Sequence, residues 1–200
     1  MAHFRWTNNI IYKFLDDVGK ALKEIDPRMT VGTDVVGCIK WPIPIPENVG
    51  FYTYDPQPVN LVVNATLNLA ATAWRGQTID MNIQRMRCWQ DFNCRAPQTL
   101  KAEAALCASK NSMLIAGDIV TPVDITPNME AIKHIRAMFD YGEKIYNKVK
   151  DIPSYADVAI LLNVEQTRLN GGKWPLQTKF IEGAYQMVTE NGLTAHILYD

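Results

Sequence analysis

Histidine is scarce in this chain, and its 3 copies, His3, His134 and His196, are scattered over 200 residues. Spread in this way they suggest neither a metal site nor a histidine-based catalytic triad. An excess of one charge is also lacking: Lys+Arg number 20 against 21 Asp+Glu, a net charge of −1. Without a basic stripe to neutralise phosphates, nucleic acid is not an expected partner. No apolar run approaches a membrane span, and "MAHFRWTNN" lacks a basic n-region, an apolar h-region and a small-residue cleavage site. The expectation is a soluble chain with no membrane partner, the cytoplasm slightly favoured.

Cysteine is sparse and badly spaced for metal or redox chemistry. Cys88 and Cys94 lie near each other without the CxxC spacing, and Cys38 and Cys107 stand alone, so buried free thiols are expected and a metal is not. Asn170-Gly171-Gly172 has a phosphate-cradling look but no GxGxxG spacing and no Walker lysine-hydroxyl pair, which argues against a nucleotide; no cofactor is expected. The sequon Asn64-Ala65-Thr66 falls in an apolar stretch with no secretion signal and reads as chance.

What the chain does have is enough apolar material, 48% hydrophobic residues, for a sizeable core in one or two domains. Ile10, Ile11, Phe14, Val18, Leu22 and Ile25 recur at helical spacing, predicting an amphipathic helix over 8–25 that stops at Asp26-Pro27. A short buried strand is predicted from Met29 to about Thr33, a long loop where Pro42, Pro44 and Pro46 crowd together, and a second strand, "FYTYD", ending at Asp55. A mostly buried helix over 59–77 and a third strand over 85–89 are expected next. "PQTLKAEAALCASKN" predicts a helix opened by Pro97, "SMLIAGD" a fourth strand, and "ITPNMEAIKHIRAMFDYGEKIYNKVK" the longest helix. "ADVAILL" reads as an apolar strand, 176–191 as a helix stopped by Gly192, and "TAHILYD" as a final strand. Strands alternating with helices imply an α/β protein with parallel sheet.

The order of features resembles bacterial glycoside hydrolases at the junction where a barrel meets a beta-galactosidase trimerisation domain. The motifs that carry the likeness are the apolar strand ending in Gly117-Asp118, Pro122 beyond it, the long helix, then "YADVAILL" and a helix ending "GAYQMVTENGLTAHIL". The likeness is strongest over 100–200. It implies the C-terminal half of a (β/α)8 barrel over 1–150 and the first part of a flavodoxin-like parallel-sheet domain over 151–200. It further implies a fragment lacking the first four barrel strands, hydrolysis of glycosidic bonds in the full-length form, a carbohydrate substrate and a trimer. The family commonly places a glutamate near the turn over 56–60, where this chain has Asn60.

Glycoside cleavage uses two carboxyl groups flanking the bond, and in an α/β barrel these come from C-terminal strand ends. Asp34, Asp55, Asp91 and Asp118 each follow an apolar run and meet that positional requirement. Asp91 and Asp118 are the expected catalytic carboxylates. Asp91 follows Trp89 and Gln90, an aromatic face and an amide suited to a sugar, and Asp118 follows a glycine that permits close approach. Asp34 and Asp55, with Trp41 in the proline-rich loop, are expected to contact substrate. The bland alternative is that the aspartates are turn formers and helix caps and that Trp89 is core. Two other readings stay open: a carbohydrate-binding or assembly protein of the same architecture without catalysis, and a complete small flavodoxin-like binding protein.

Overall fold

The computed structural model describes residues 2–34, 46–54, 78–86, 94–118, 126–163 and 174–199. Its elements are α1 (Ala2–Ile25), β1 (Gly32–Asp34), β2 (Phe51–Tyr54), β3 (Thr78–Gln84), α2 (Pro97–Ser109), β4 (Met113–Gly117), α3 (Met129–Val149), β5 (Val158–Leu162), α4 (Trp174–Glu190) and β6 (Ala195–Tyr199). β1 pairs with β2, β3 with β4 and β5 with β6, all in parallel. The protein is therefore a mixed α/β chain with parallel sheet, as the alternation of elements implies. Two compact units divide it: one carries α1, the β1/β2 pair and β5-α4-β6, the other most of β3 with α2, β4 and α3.

In the first unit, α1 seats the turn around Asn48. Asp16 Oδ1 accepts from the Asn48 backbone N–H at 3.1 Å and from Asn48 Nδ2 at 3.0 Å. Gly19 is buried one turn further on, where an added Cβ would collide with the Asn48 carbonyl. Beyond the helix, Asp26 takes the exposed Arg28 guanidinium as a fork, with Nη2 to Oδ2 at 2.7 Å, and Pro27 supplies the stop. The apolar stripe of α1 is less buried than its periodicity predicts, since Phe14 is 64% exposed and Ile10 and Ile25 are exposed with it. β1 also departs from expectation. It starts at Gly32, not Met29, and Gly32 and Asp34 are exposed, because a three-residue strand paired on β2 buries little.

β5, α4 and β6 form a compact βαβ arrangement in which Val158 sits opposite Ala195 and Leu162 opposite Tyr199. Leu162, Ala195, Ile197 and Ile181 of α4 are buried, whereas Leu161 on the other face of β5 is 65% exposed. Gly192 ends the helix in the left-handed region at φ +74°, the conformation for which a glycine stop is suited. Asp157, just before β5, ties down the chain entering β6: its Oδ2 accepts from the Thr194 backbone N–H and Oγ1, each at 2.9 Å.

The second unit holds a clear correction. A third strand is predicted over 85–89, but the strand is Thr78–Gln84, and Arg85 and Met86 form a bend after it; 87–89 lie outside the described residues. "TIDMNIQ" alternates with period two. Ile79, Met81 and Ile83 are buried on one face, while Asp80, Asn82 and Gln84 occupy the other. In register, Met81 faces Leu114, Asn82 faces Ile115 and Gln84 faces Gly117.

The helices cover the apolar face. α2 buries Leu100, Glu103, Ala104, Cys107 and Ala108, the three-four spacing of one helical stripe. α3 crosses it closely at a small residue: a Cβ on Gly142 would lie 2.8 Å from Leu114 Cδ1 and 3.5 Å from Ala104 Cβ. Pro97 opens α2, and Asn128 caps α3 by accepting from the Glu130 and Ala131 N–H groups at 3.1 and 3.2 Å. Asn111, at φ 58°, turns the chain from α2 into β4. The predicted bounds of α2 and β4 agree with those observed to within a residue or two, whereas α3 begins at Met129, four residues after the start of its predicted stretch, because Asn128 caps it.

Candidate functional site

β3 and β4 run parallel, so their C-terminal ends lie side by side and the residues that follow them meet. Arg85 follows β3 and Asp118 follows β4, and Arg85 Nε donates to Asp118 Oδ1 in an ion pair. The Arg85 side chain is 1% exposed and that of Asp118 is 23% exposed, so a buried guanidinium has its counter-ion at the rim of the sheet. Arg85 is also held in the ladder, its backbone N–H donating to the Gly117 carbonyl at 2.9 Å.

A second ion pair stands behind the first. Arg95, in the segment leading into α2, pairs through Nη2 with Glu103 Oε1, and its Nη1 donates to the Gln84 carbonyl at 2.9 Å. Glu103 is buried on α2, and burial raises its carboxyl above the ordinary range, with Arg95 opposing. Cys94, half-buried and within the field of Arg85, Asp118 and Arg95, has its thiol raised chiefly by desolvation. That is the opposite of what an activated cysteine requires. Cys107 is fully buried and pushed up to about 12.

Below this rim runs the polar row of β3. Asp80 and Gln84 are buried and Asn82 half-buried, all three on the sheet face opposite the one where Leu114 meets Gly142 of α3. Gly117 is what allows the row to lie flat across β4, since a Cβ there would sit 2.7 Å from Asn82 Oδ1 and 3.3 Å from Gln84 Cγ. Carboxylate, amides and guanidinium are donor and acceptor types that bind hydroxyl groups, and here they are held inside, Asp80 at 5%, Gln84 at 0% and Arg85 at 1% exposure. Among the described residues no group of three or more His, Cys, Asp or Glu side chains could hold a metal ion, and no helix is long and apolar enough to cross a membrane.

Of the residues predicted to form a site, Asp118 is at the strand end as expected, and Asp34 is the exposed last residue of β1. Asp55, Asp91, Trp89, Gln90 and Trp41 lie outside the described residues, as does Asn60. Arg85, Arg95, Glu103 and the row Asp80, Asn82 and Gln84 were not predicted. The alternation of "TIDMNIQ" carries the signal for the row, and the strand boundary misplaced onto Arg85 hid it. A separate polar contact joins Ser154 Oγ to His196 Nε2 at 2.8 Å near the start of β5. The nearby Asp157 is engaged by Thr194 and Tyr155. No protein-family model, curated protein or solved structure matches this chain.

Proposed function

We propose that the chain forms part of a carbohydrate-hydrolysing site of the glycoside hydrolase type, with β1 to β4 belonging to the C-terminal half of a (β/α)8 barrel. In this reading β5, α4 and β6 begin a flavodoxin-like trimerisation domain. One observation carries it: the sheet face opposite α2 and α3 bears a polar row, Asp80, Asn82 and Gln84, and ends in a carboxylate, Asp118, at the C-terminal strand edge. A barrel turns its helix-free face inward and places its chemistry at that edge.

In this reading Asp118 accepts hydrogen bonds from substrate hydroxyls and orients them, and Asp91 is the carboxyl that moves a proton. Trp89 offers a stacking face, and Gln90 and Asp55 contact the sugar. The test is turnover of a panel of aryl glycosides by the natural protein that contains this chain, with Asp91→Asn and Asp118→Asn variants alongside. Turnover that falls at least about a hundredfold in Asp91→Asn supports the reading; wild-type inactivity on every glycoside, or undiminished turnover in both variants, refutes it.

A non-catalytic, carbohydrate-binding form of the same architecture is favoured by one feature, the Arg85 guanidinium that already engages the Asp118 carboxylate. Calorimetric binding of an oligosaccharide without hydrolysis distinguishes it. Sedimentation of the same preparation tests the trimer.

A further inference from the structure

Arg95 grips the end of β3 at two successive carbonyls. Its backbone N–H donates to the Arg85 carbonyl at 2.8 Å and its Nη1 to the Gln84 carbonyl at 2.9 Å. The peptide units from which Arg85 projects are therefore held by Arg95 on one side and, through the Arg85 N–H, by Gly117 of β4 on the other. Arg95 is aimed in turn by Glu103, which takes its Nη2. Arg85 in turn engages Asp118.

Glu103 is a costly group for its position. Its side chain is 1% exposed, burial disfavours its charged form, and Oε2 has no hydrogen-bond partner among the described residues. A buried carboxylate with one oxygen unmatched destabilises a helix face that Ala104, Cys107 and Ala108 otherwise seal with small apolar groups. What the carboxylate supplies in return is direction: a planar guanidinium bound by a fixed acceptor on one edge presents its other edge along one line. That line runs to the Gln84 carbonyl.

We infer that Arg95 and Glu103 are positioning residues of the strand-end site, setting the place from which Arg85 holds the Asp118 carboxylate toward a hydroxylated ligand. The inference rests on the strand ends being the site, as proposed above, and does not depend on the reaction carried out there. Replacing Glu103 by Gln keeps size and shape while weakening the grip on Arg95. Replacing Arg95 by Lys keeps the charge and removes the fork.

The test reads the Arg85 Nε–H directly in proton–nitrogen spectra of the full chain, where its ion pair with Asp118 protects it from solvent exchange. In E103Q and in R95K, exchange of the Arg85 Nε–H accelerates by about tenfold or more, as for the loss of one charge-assisted hydrogen bond, while the Ile197 amide in β6 is unaffected. Protection of the Arg85 Nε–H within about twofold of wild type in a folded E103Q or R95K overturns the inference. Should E103Q fail to fold, R95K decides alone. An inactive wild type on aryl glycosides counts against the proposed reaction only, since the Arg85 signal is read without substrate.

Discussion

Asp118→Asn removes one charge and almost no volume, so its effect isolates the ion pair at the strand ends. The Arg85 side chain is 1% exposed and Asp118 23% exposed, which places the pair nearer the buried limit than the surface one. Stripping the counter-ion from a buried charge costs about 3–5 kcal/mol, whereas exposed pairs contribute about 0–1 kcal/mol. The partial exposure of Asp118 and the amide oxygen that Asn retains reduce the expected loss to about 3 kcal/mol. In a chain of this size that corresponds to a melting point lower by about 6–12 °C. Urea unfolding gives the free energy, and native-state hydrogen exchange at the β3 and β4 amides assigns the loss to the unit that holds the pair. The double variant Arg85→Met with Asp118→Leu recovers most of the loss, since a well-packed apolar pair can replace a buried ionic one at little cost. A single variant within about 0.5 kcal/mol of wild type, or a double variant less stable than the single, would refute the claim that Arg85 is a buried charge compensated by Asp118.

Four further outcomes are expected. Gly19→Ala lowers the melting point, by more than about 1 kcal/mol of stability, because the new methyl meets the Asn48 carbonyl. Gly183→Ala, with nothing within 4 Å of the added methyl, raises stability by about 0.5–1 kcal/mol through helix propensity alone; a Gly19→Ala protein as stable as wild type refutes the packing of α1 on the Asn48 turn. Iodoacetamide at pH 8 labels half-buried Cys94, but reaches Cys107, whose thiol is pushed up to about 12, only in urea. Peptide mass mapping reads both sites, and equal native rates contradict the burial of α2. The carboxyl of Asp157 is held below its ordinary 3.8, first by the Thr194 N–H and then by the Tyr155 and Thr194 hydroxyls. Its stabilising contribution is therefore present above the unfolded value and lost as pH falls through the folded one. Glu103, raised by burial, runs the other way, its contribution lost as pH rises through its folded value. Acidification through the folded value should thus deprotect the Thr194 amide, and a Thr194 amide as well protected in Asp157→Ala as in wild type contradicts the clamp.

Much of the architecture was legible in the residues because its signals are local. Pro97 can stand only in the first turn of a helix, Asn128 caps the next one with its own side chain, Gly192 takes a left-handed stop, and the stripe of α2 repeats every three or four residues. These are properties of short pieces of chain, and α2, β4, α3, β5, α4 and β6 fall close to where such properties put them. The chain by itself also implied that β3 and β4, and β5 and β6, pair in parallel, because a helix intervenes in each pair, whereas the parallel pairing of β1 with β2 across a proline-rich stretch had no such signal.

Only the tertiary structure decided which polar residues are inside. Asp80, Gln84, Arg85 and Glu103 are buried, yet nothing within a few residues of each announces a partner. Arg85 meets Asp118 across 33 positions of sequence, and the residue whose place in the sequence predicts the start of a strand is instead a buried guanidinium just beyond one. The burial of α1 was overestimated for the related reason that periodicity specifies a face but not what covers it, and Phe14 stays exposed. A hydrogen bond or ion pair formed between strand ends depends on pairing register and on which sheet face the helices leave open. Both are set by packing free energy summed over many distant residues, a quantity that no local stretch of sequence contains.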